Sequence, residues 1–488
     1  MHQYSASHPH RRRNTLAFAI HHLSLLLFLL TTAPHSTHAA AYPTDPTTNT
    51  PLPNAITTTY ISARNLWRNR DLQQSTGLRK LHPAAARVIR LADAAAADTN
   101  VYSVVNASDV SMMALPPSND THDFFTLAPH WVRNPVTPSG LPWVVDSKVN
   151  SSVVVPNPPF GDADARGLQT VVDDAWYAGL AYFWTGDEKY AEVVARRVTQ
   201  WFVDEQTYMN SNLEYANYVP GRSAIVATTT DGDGILDIHR LLDAISLTAN
   251  SPTIPPTTTT SFQTWCQHYL TWLQTSTRAQ HESALTDYRG VHTDLQQIAL
   301  SIYLNDFATA TSILTNRTLP RLATQISPSG QIPAELAKTR QSTWDASVEY
   351  ISAMFVIAHM TRNAPLYPDL FAVSTSDGRS LRGAVEFLLP YAIANGTGWP
   401  VVPGDAFKVG VKFVQVLKEA YVVWGDARYL AAVGVLQPQP QAWNPSKLWT
   451  PFDAFDVVAD SGAAVAVATG VRGVSVLAIA LACLWVAV

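Results

Sequence analysis

Between about residues 60 and 455 the apolar positions recur at the spacing of helices, and no run alternates as strands do. Leu78, Leu81, Ala84, Ala85, Val88, Ile89 and Leu91 fall near a 3.6-residue period, with Pro83 placed to start a helix. Leu168, Val171, Val172, Ala175, Trp176, Leu180 and Phe183 form a second apolar face. Trp184-Thr185-Gly186-Asp187 follows, where Gly closes one helix and Asp opens the next, which continues through Tyr190, Val193, Val194, Val198, Trp201 and Phe202. The same punctuation recurs at Tyr303-Leu304-Asn305-Asp306 and at Trp424-Gly425-Asp426. These echoes have no fixed period, but they describe repeated antiparallel helix pairs, the unit of an α/α array. Further helices are expected over 236–247, 262–275, 336–360 and 381–394, with a Pro/Thr-rich loop at 251–261.

The periodicity disappears between 102 and 150. Pro116, Pro117, Asn119, Asp120, Pro129, Trp131, Pro135 and Gly140 alternate turn formers with aromatics. A long irregular segment inside a compact domain is usually functional, and the aromatic content argues against disorder. A second break in the pattern is the polar run Asp287-Tyr288-Arg289-Gly290-Val291-His292-Thr293-Asp294-Leu295-Gln296-Gln297, which leads straight into the apolar helical positions Ile298, Leu300 and Ile302. Titratable groups at the mouth of a helix suit anion binding or proton transfer. They also suit a plain solvated helix start.

Both ends carry targeting patterns. Arg11-Arg12-Arg13, an apolar run from Leu16 to Leu30 and small residues at Ala39, Ala40 and Ala41 read as a signal peptide over 1–40. A Pro/Thr-rich leader fills 41–60. Over 456–488 come small residues (Ser461, Gly462, Ala463), a spacer and an apolar tail from Val474. This is the pattern of a glycolipid-anchor (GPI) signal, which is removed on processing. The expected location is therefore secreted or on the outer leaflet of the plasma membrane. Sequons at Asn106, Asn119, Asn150, Asn316 and Asn395 agree with that route. Cys266 and Cys483 are the only cysteines, and without Cys483 the folded domain has one thiol and no internal disulfide.

The 488 residues are 47% hydrophobic and 15% charged with a net charge of −5, so the core is large and no basic surface points to nucleic acid. Asp231-Gly232-Asp233-Gly234 hints at a calcium loop but lacks the full ligand spacing, and a turn is the simpler reading. No metal or cofactor is expected, and a monomer is expected.

In order along the chain, several stretches resemble the alginate lyase-like family of secreted uronate polysaccharide lyases. They are Pro116-Pro117-Ser118-Asn119-Asp120-Thr121-His122-Asp123-Phe124, Ala128-Pro129-His130-Trp131, Thr185-Gly186-Asp187-Glu188-Lys189-Tyr190-Ala191, and Trp201-Phe202 through Asn210, Asn212, Tyr215 and Pro220-Gly221. The resemblance covers roughly 102–429 and implies an all-α fold. That fold is an incomplete (α/α) toroid of antiparallel helix hairpins with a long aromatic-rich irregular segment, expected over 61–455. It also implies β-elimination on a uronic-acid-containing polysaccharide. That reaction needs a group to neutralise the carboxylate, a base for the C5 proton and an acid for the leaving oxygen.

The resemblance carries two departures. The family usually reads Asn-Asn-His-Gly where this chain has Asp287-Tyr288-Arg289-Gly290, so Arg289 stands for the expected histidine, while Gly290, Asp294 and Gln296 keep the register. Trp344 stands where a proton-transferring tyrosine is expected, and Lys338-Thr339 replaces an Arg-Thr pair, with Arg340 next door. The catalytic candidates are therefore Tyr288, Arg289 and His292. In this scheme Arg289 grips a carboxylate and Tyr288 or His292 acts as base; the alternative for His292 is an ordinary helix-start histidine. Substrate-binding candidates are His122, Trp131, Asn210, Asn212, Tyr215, Arg340 and Trp344. Three readings stay open: a lyase on an acidic polysaccharide, a non-catalytic descendant that binds such a polysaccharide, and an α/α-toroid hydrolase using carboxylates such as Glu335.

Overall fold

The computed structural model describes residues 58–63, 65–66, 68–70, 83–105, 115–128, 131–145, 163–222, 237–338, 342–364, 366, 368–401, 407, 409–436 and 448–449. All of them belong to one unit, Pro43–Val488. The signal peptide, most of the leader, Asp231–Gly234 of the suggested calcium loop, Arg340 and the anchor signal lie outside the described residues.

The helical expectation holds. α1 is Pro83–Ala97, α2 Ala163–Thr185 and α3 Glu188–Val198. α4 is Ile238–Leu247, α5 Pro256–Thr275, α6 Thr277–Ser283 and α7 Tyr288–Tyr303. α8 is Phe307–Ile313, α9 Leu319–Gln325, α10 Pro333–Leu336 and α11 Thr343–Asn363. α12 (Leu381–Ile393), α13 (Val411–Trp424) and α14 (Ala427–Leu436) complete the set. The hairpin punctuation works as read. Gly186, Asn305 and Gly425 take left-handed φ values of 74°, 61° and 68° and reverse the chain. Asp187 and Asp306 then cap the helices that follow through their carboxylates. Two expectations fail: the helix expected over 336–360 starts only at Thr343, where Ser342 caps it, and α5 starts at Pro256, inside the segment read as a loop. The hydroxyls of Thr260 and Thr264 donate to carbonyls one turn back, at Pro256 and Thr260, which lets a polar Thr run lie in a helix.

α2, α4, α7, α11 and α13 pack in that order, each next to the one before, while intervening helices pack outside them. α11 and α13 run parallel, since Glu349 meets Lys412 and, farther along both, His359 meets Glu419. This is the α/α toroid arrangement, with alternate helices lining its inside. α7 lies at its heart: every residue of that helix except Arg289 is buried. The inner surfaces merge into one apolar core that includes Trp176, Trp201, Tyr269, Tyr350 and Phe413.

The irregular segment holds short strands that the sequence pattern did not reveal. β1 (Phe125–Leu127) pairs in parallel with β4 (Tyr215–Tyr218). β2 (Trp131–Val132) pairs antiparallel with β3 (Val144–Val145). Around them Leu127, Ala128, Trp143 and Val219 form a small second core, onto which Phe125, Trp131 and Tyr218 pack. Among the described residues no helix is long and apolar enough to cross a membrane.

Candidate active site

The N-terminus of α7 is fixed by its own sequence. Asp287 caps it, its Oδ1 accepting the Arg289 N–H at 3.1 Å. Gly290 has no alternative: a Cβ there would sit 2.2 Å from the Leu285 carbonyl oxygen and 2.6 Å from Arg321 Nη1. One turn on, the fully buried Asp294 takes Arg321 Nε at 2.8 Å, Arg317 Nε at 3.0 Å and the Thr318 hydroxyl at 3.1 Å. Gln296 accepts the Tyr269 hydroxyl at 2.7 Å. Gly290, Asp294 and Gln296 thus hold the helix in place; the groups that point to chemistry lie between and beside them.

His292 is one of these groups. Its Nε2 lies 2.9 Å from Glu349 Oε1, and the other oxygen of Glu349 accepts Lys412 Nζ. Burial pushes the Glu349 carboxyl up, but the bond and charge of His292 and the charge of Lys412 outweigh it and hold the group down at about 2. An ionised Glu349 only accepts, so Nε2 carries a hydrogen, and whenever the ring is neutral its lone pair lies on Nδ1. Nδ1 is buried and has no hydrogen-bond partner among the described residues. A carboxylate that orients one ring nitrogen and leaves the other without a partner matches the base-and-orienter half of a general-base arrangement. Tyr288 stands edge-on to the imidazole, with ring centroids 6.1 Å apart.

A second carboxylate lies beneath. Glu335 is fully buried, and its Oε1 accepts the Tyr288 N–H at 2.5 Å. Lys338 Nζ lies 3.4 Å from Glu335 Oε2, 3.1 Å from Asp287 Oδ2 and 4.3 Å from the centre of the Tyr288 ring. Burial pushes Glu335 up to about 7; Lys338 opposes the shift and the nearby Asp287 adds to it. Asp287 itself is lowered, because Arg289 and Lys338 together overcome its burial. Lys412 also acts on Asp237 at the start of α4, helping Arg240 and His239 to lower that carboxyl against its burial. The N-terminal portions of α7, α11 and α13 therefore converge on Glu349. Their aligned peptide dipoles make such a mouth favourable for an anion.

The sequence model of the alginate lyase family matches residues 110–399, more than half of the chain, and that span contains Tyr288, His292 and Glu349. The chain belongs to the alginate lyase family. A solved alginate lyase from Bacteroides ovatus is 25% identical, covers 80% of this chain and 98% of its own, and superposes with a TM-score of 0.67. A variant of alginate lyase A1-III complexed with a tetrasaccharide shares the fold at 13% identity and a TM-score of 0.50, covering 81% of this chain and 96% of its own. No curated protein matches the chain in sequence.

The two residues that the resemblance to the alginate lyase family singled out behave differently in the structure. Arg289, in the histidine's place, does not present an open grip: its Nε lies 3.0 Å from both oxygens of Asp287. Trp344, in the tyrosine's place, is 2% exposed. Its ring lies 5.3, 4.6 and 5.2 Å from those of Trp399, Phe407 and Phe413. It fills an aromatic cluster and offers no face to a groove, which corrects its assignment to substrate binding.

The remaining candidates form a separate group on the irregular segment. His122 Nδ1 lies 2.6 Å from the Tyr208 carbonyl oxygen, and its ring leans on that of Tyr208. Asn210 donates to Asp120 at 3.0 Å and to Asp123 at 2.9 Å, and Asn212 reaches Asp123 at 3.4 Å. These amides hold the loop together. Tyr215 is half-buried in β4, and Trp131 is half-buried with the Arg222 guanidinium 4.9 Å from its ring centre. Trp131, with an aromatic face beside a cation, keeps the chemistry of a sugar contact. The reading from sequence missed Glu349 and Lys412. Neither stands in a motif; only the packing of α11 beside α7 brings Glu349 to His292, and that of α13 beside α11 brings Lys412 to Glu349.

Proposed function

We propose that the chain cleaves a uronic-acid-containing polysaccharide, alginate-like in its chemistry, by β-elimination. The observation that carries this reading is the His292–Glu349 pair, with Nδ1 left unpartnered among the described residues and Lys412 on the other oxygen of Glu349. In this scheme the helix N-termini and the Lys412 ammonium stabilise the charge that grows on the uronate as C5 is deprotonated. His292 Nδ1 takes the C5 proton, and the C–H electron pair becomes the C4–C5 double bond. The C4–O bond breaks, and the leaving oxygen takes the proton of the Tyr288 hydroxyl. Glu349 then stabilises the imidazolium. Membership of the alginate lyase family and the likeness to the Bacteroides ovatus lyase support this reaction class.

Arg289 and Trp344 favour a second reading, a lyase fold that binds acidic polysaccharide without cleaving it. The test is to incubate the soluble chain with a panel of polyuronates and follow the ultraviolet absorbance of the new double bond. Absorbance that grows with time and vanishes in His292→Ala supports cleavage. Binding with no absorbance from any substrate sinks it. As for place, the reading is of an exported protein held on the outer leaflet by a lipid, on the strength of its terminal patterns alone. Release of the protein from cells by a phosphatidylinositol-specific phospholipase tests it, and retention after that treatment contradicts it.

A further inference from the structure

We infer that Lys412 recognises the carboxylate of the uronate, and that Glu349 passes this event on to His292. The base role of His292 rests on the lyase reading above; recognition by Lys412 does not.

The cations around the mouth differ in what they face. Arg289 is 24% exposed and clasped by Asp287, and Lys338 is 12% exposed between Asp287 and Glu335. Arg240 is 17% exposed between Asp173 and Asp237. The Lys412 side chain, in the first turn of α13, is 65% exposed, and its ammonium meets Glu349. An ammonium has three donors, so one bond to Glu349 leaves it able to meet a second carboxylate. A neutral sugar offers no such partner.

The coupling follows from the shared carboxylate. One oxygen of Glu349 faces His292 and the other faces Lys412. In the resting site Lys412 offsets part of the charge that Glu349 presents to the imidazole. A uronate that draws the ammonium toward itself leaves Glu349 to act more fully on His292. The substrate also adds its own negative charge. Both effects favour the imidazolium and so make His292 a stronger base when substrate is present. The other groups that face this pair are Tyr288 on α7, and Asp237 and His239 from α4, where Asp237 feels the charge of Lys412.

The test has two readouts besides turnover. Calorimetry compares an oligouronate with the same oligosaccharide after its carboxylates are reduced to alcohols. The wild-type protein should prefer the acidic form by about tenfold or more. Lys412→Gln should lose that preference, and Lys412→Arg should keep much of it. The side chain is largely exposed, so both variants should fold, which circular dichroism checks. Next, the imidazole of His292, assigned with His292→Ala, is titrated by NMR with and without a uronate monosaccharide, which has no glycosidic bond to eliminate. At saturating uronate its pKa should rise by about one unit in the wild type and by clearly less in Lys412→Gln, where only the ligand's own charge acts. Full preference in Lys412→Gln, or no uronate binding by the wild type, overturns recognition. A His292 titration that ignores bound uronate, or that shifts as far in Lys412→Gln, overturns the coupling. Absence of elimination while the Lys412-dependent preference persists would count against the lyase reading only.

Discussion

Asp287 caps α7 and also holds the guanidinium of Arg289, two residues along, with both carboxylate oxygens 3.0 Å from Nε. A side chain held that way serves the helix mouth before it serves a ligand. Arg289→Ala should therefore lower kcat/KM less than tenfold, on the order of a rim charge. His292→Ala should lower it by roughly a hundred- to ten-thousand-fold, the range for a general base. Initial rates of ultraviolet absorbance decide, and equal losses in the two variants would return Arg289 to the reaction.

Glu335 should leave a signature in the dependence of stability on pH. Its folded value of about 7 lies above the ordinary 4.5, so the folded chain binds a proton that the unfolded chain releases. The stability this group contributes is full below the unfolded value and is lost as pH rises through the folded one. The whole effect is roughly 3 kcal/mol. Glu335→Gln keeps an acceptor for the Tyr288 N–H and removes the titration. Its Tm should fall less than that of the wild type between about pH 5 and about pH 8, and should be the higher of the two at the alkaline end. A wild-type Tm that gains on the variant as pH rises would show the opposite sign.

Gly290→Ala should be costly although alanine favours helices. The added methyl would press on the Leu285 carbonyl and on Arg321, which is itself tied to Asp294. Overpacking of this kind costs about 1–3 kcal/mol, visible as a lower midpoint in urea. An unchanged midpoint would mean that the turn before α7 yields freely.

Asp243 ties the start of the described chain to the ring. Its carboxylate accepts the Thr59 N–H at 2.5 Å, the Tyr60 N–H at 3.0 Å, the Ile61 N–H at 2.8 Å and the Thr59 hydroxyl at 2.8 Å. Burial lifts it to about 6, against the pull of those donors. Asp243→Ala strands three N–H groups, at about 1–3 kcal/mol for each that stays buried. Limited proteolysis followed by mass spectrometry should find new cuts near residues 58–61 in the variant. Equal resistance in both proteins would show that the segment is held by its other contacts.

The helix pairs were legible because Gly186, Asn305 and Gly425, with an Asp after each, punctuate the chain locally, and local signals survive in sequence. The strands were not, because two to four residues are too few to alternate. The start of α5 was misread because Thr polarity looks like a loop until each hydroxyl finds its carbonyl. At the site, His292 stood out as a polar group at a helix mouth. Its partner Glu349 lies 57 residues away within another helix, and Lys412 a further 63. Distances of that kind carry no motif. Trp344 was given to the groove by position alone, and only packing shows that its ring belongs to the core.

The ring is also closed by its two ends. The Tyr60 hydroxyl reaches Glu419, 359 positions later, at 3.3 Å, and Asn69 donates to the Leu448 carbonyl at 2.9 Å. Such a seam cannot form until nearly the whole domain has been synthesised. Contacts this distant in sequence are entropically slow to make, and they delay a fold's final step. α7 and α11 can meet earlier, bringing His292 to Glu349, whereas Lys412 arrives with the last helices. An unfinished chain would therefore carry the His292–Glu349 pair before the cation beside it, and the site would become complete only as the circle shuts.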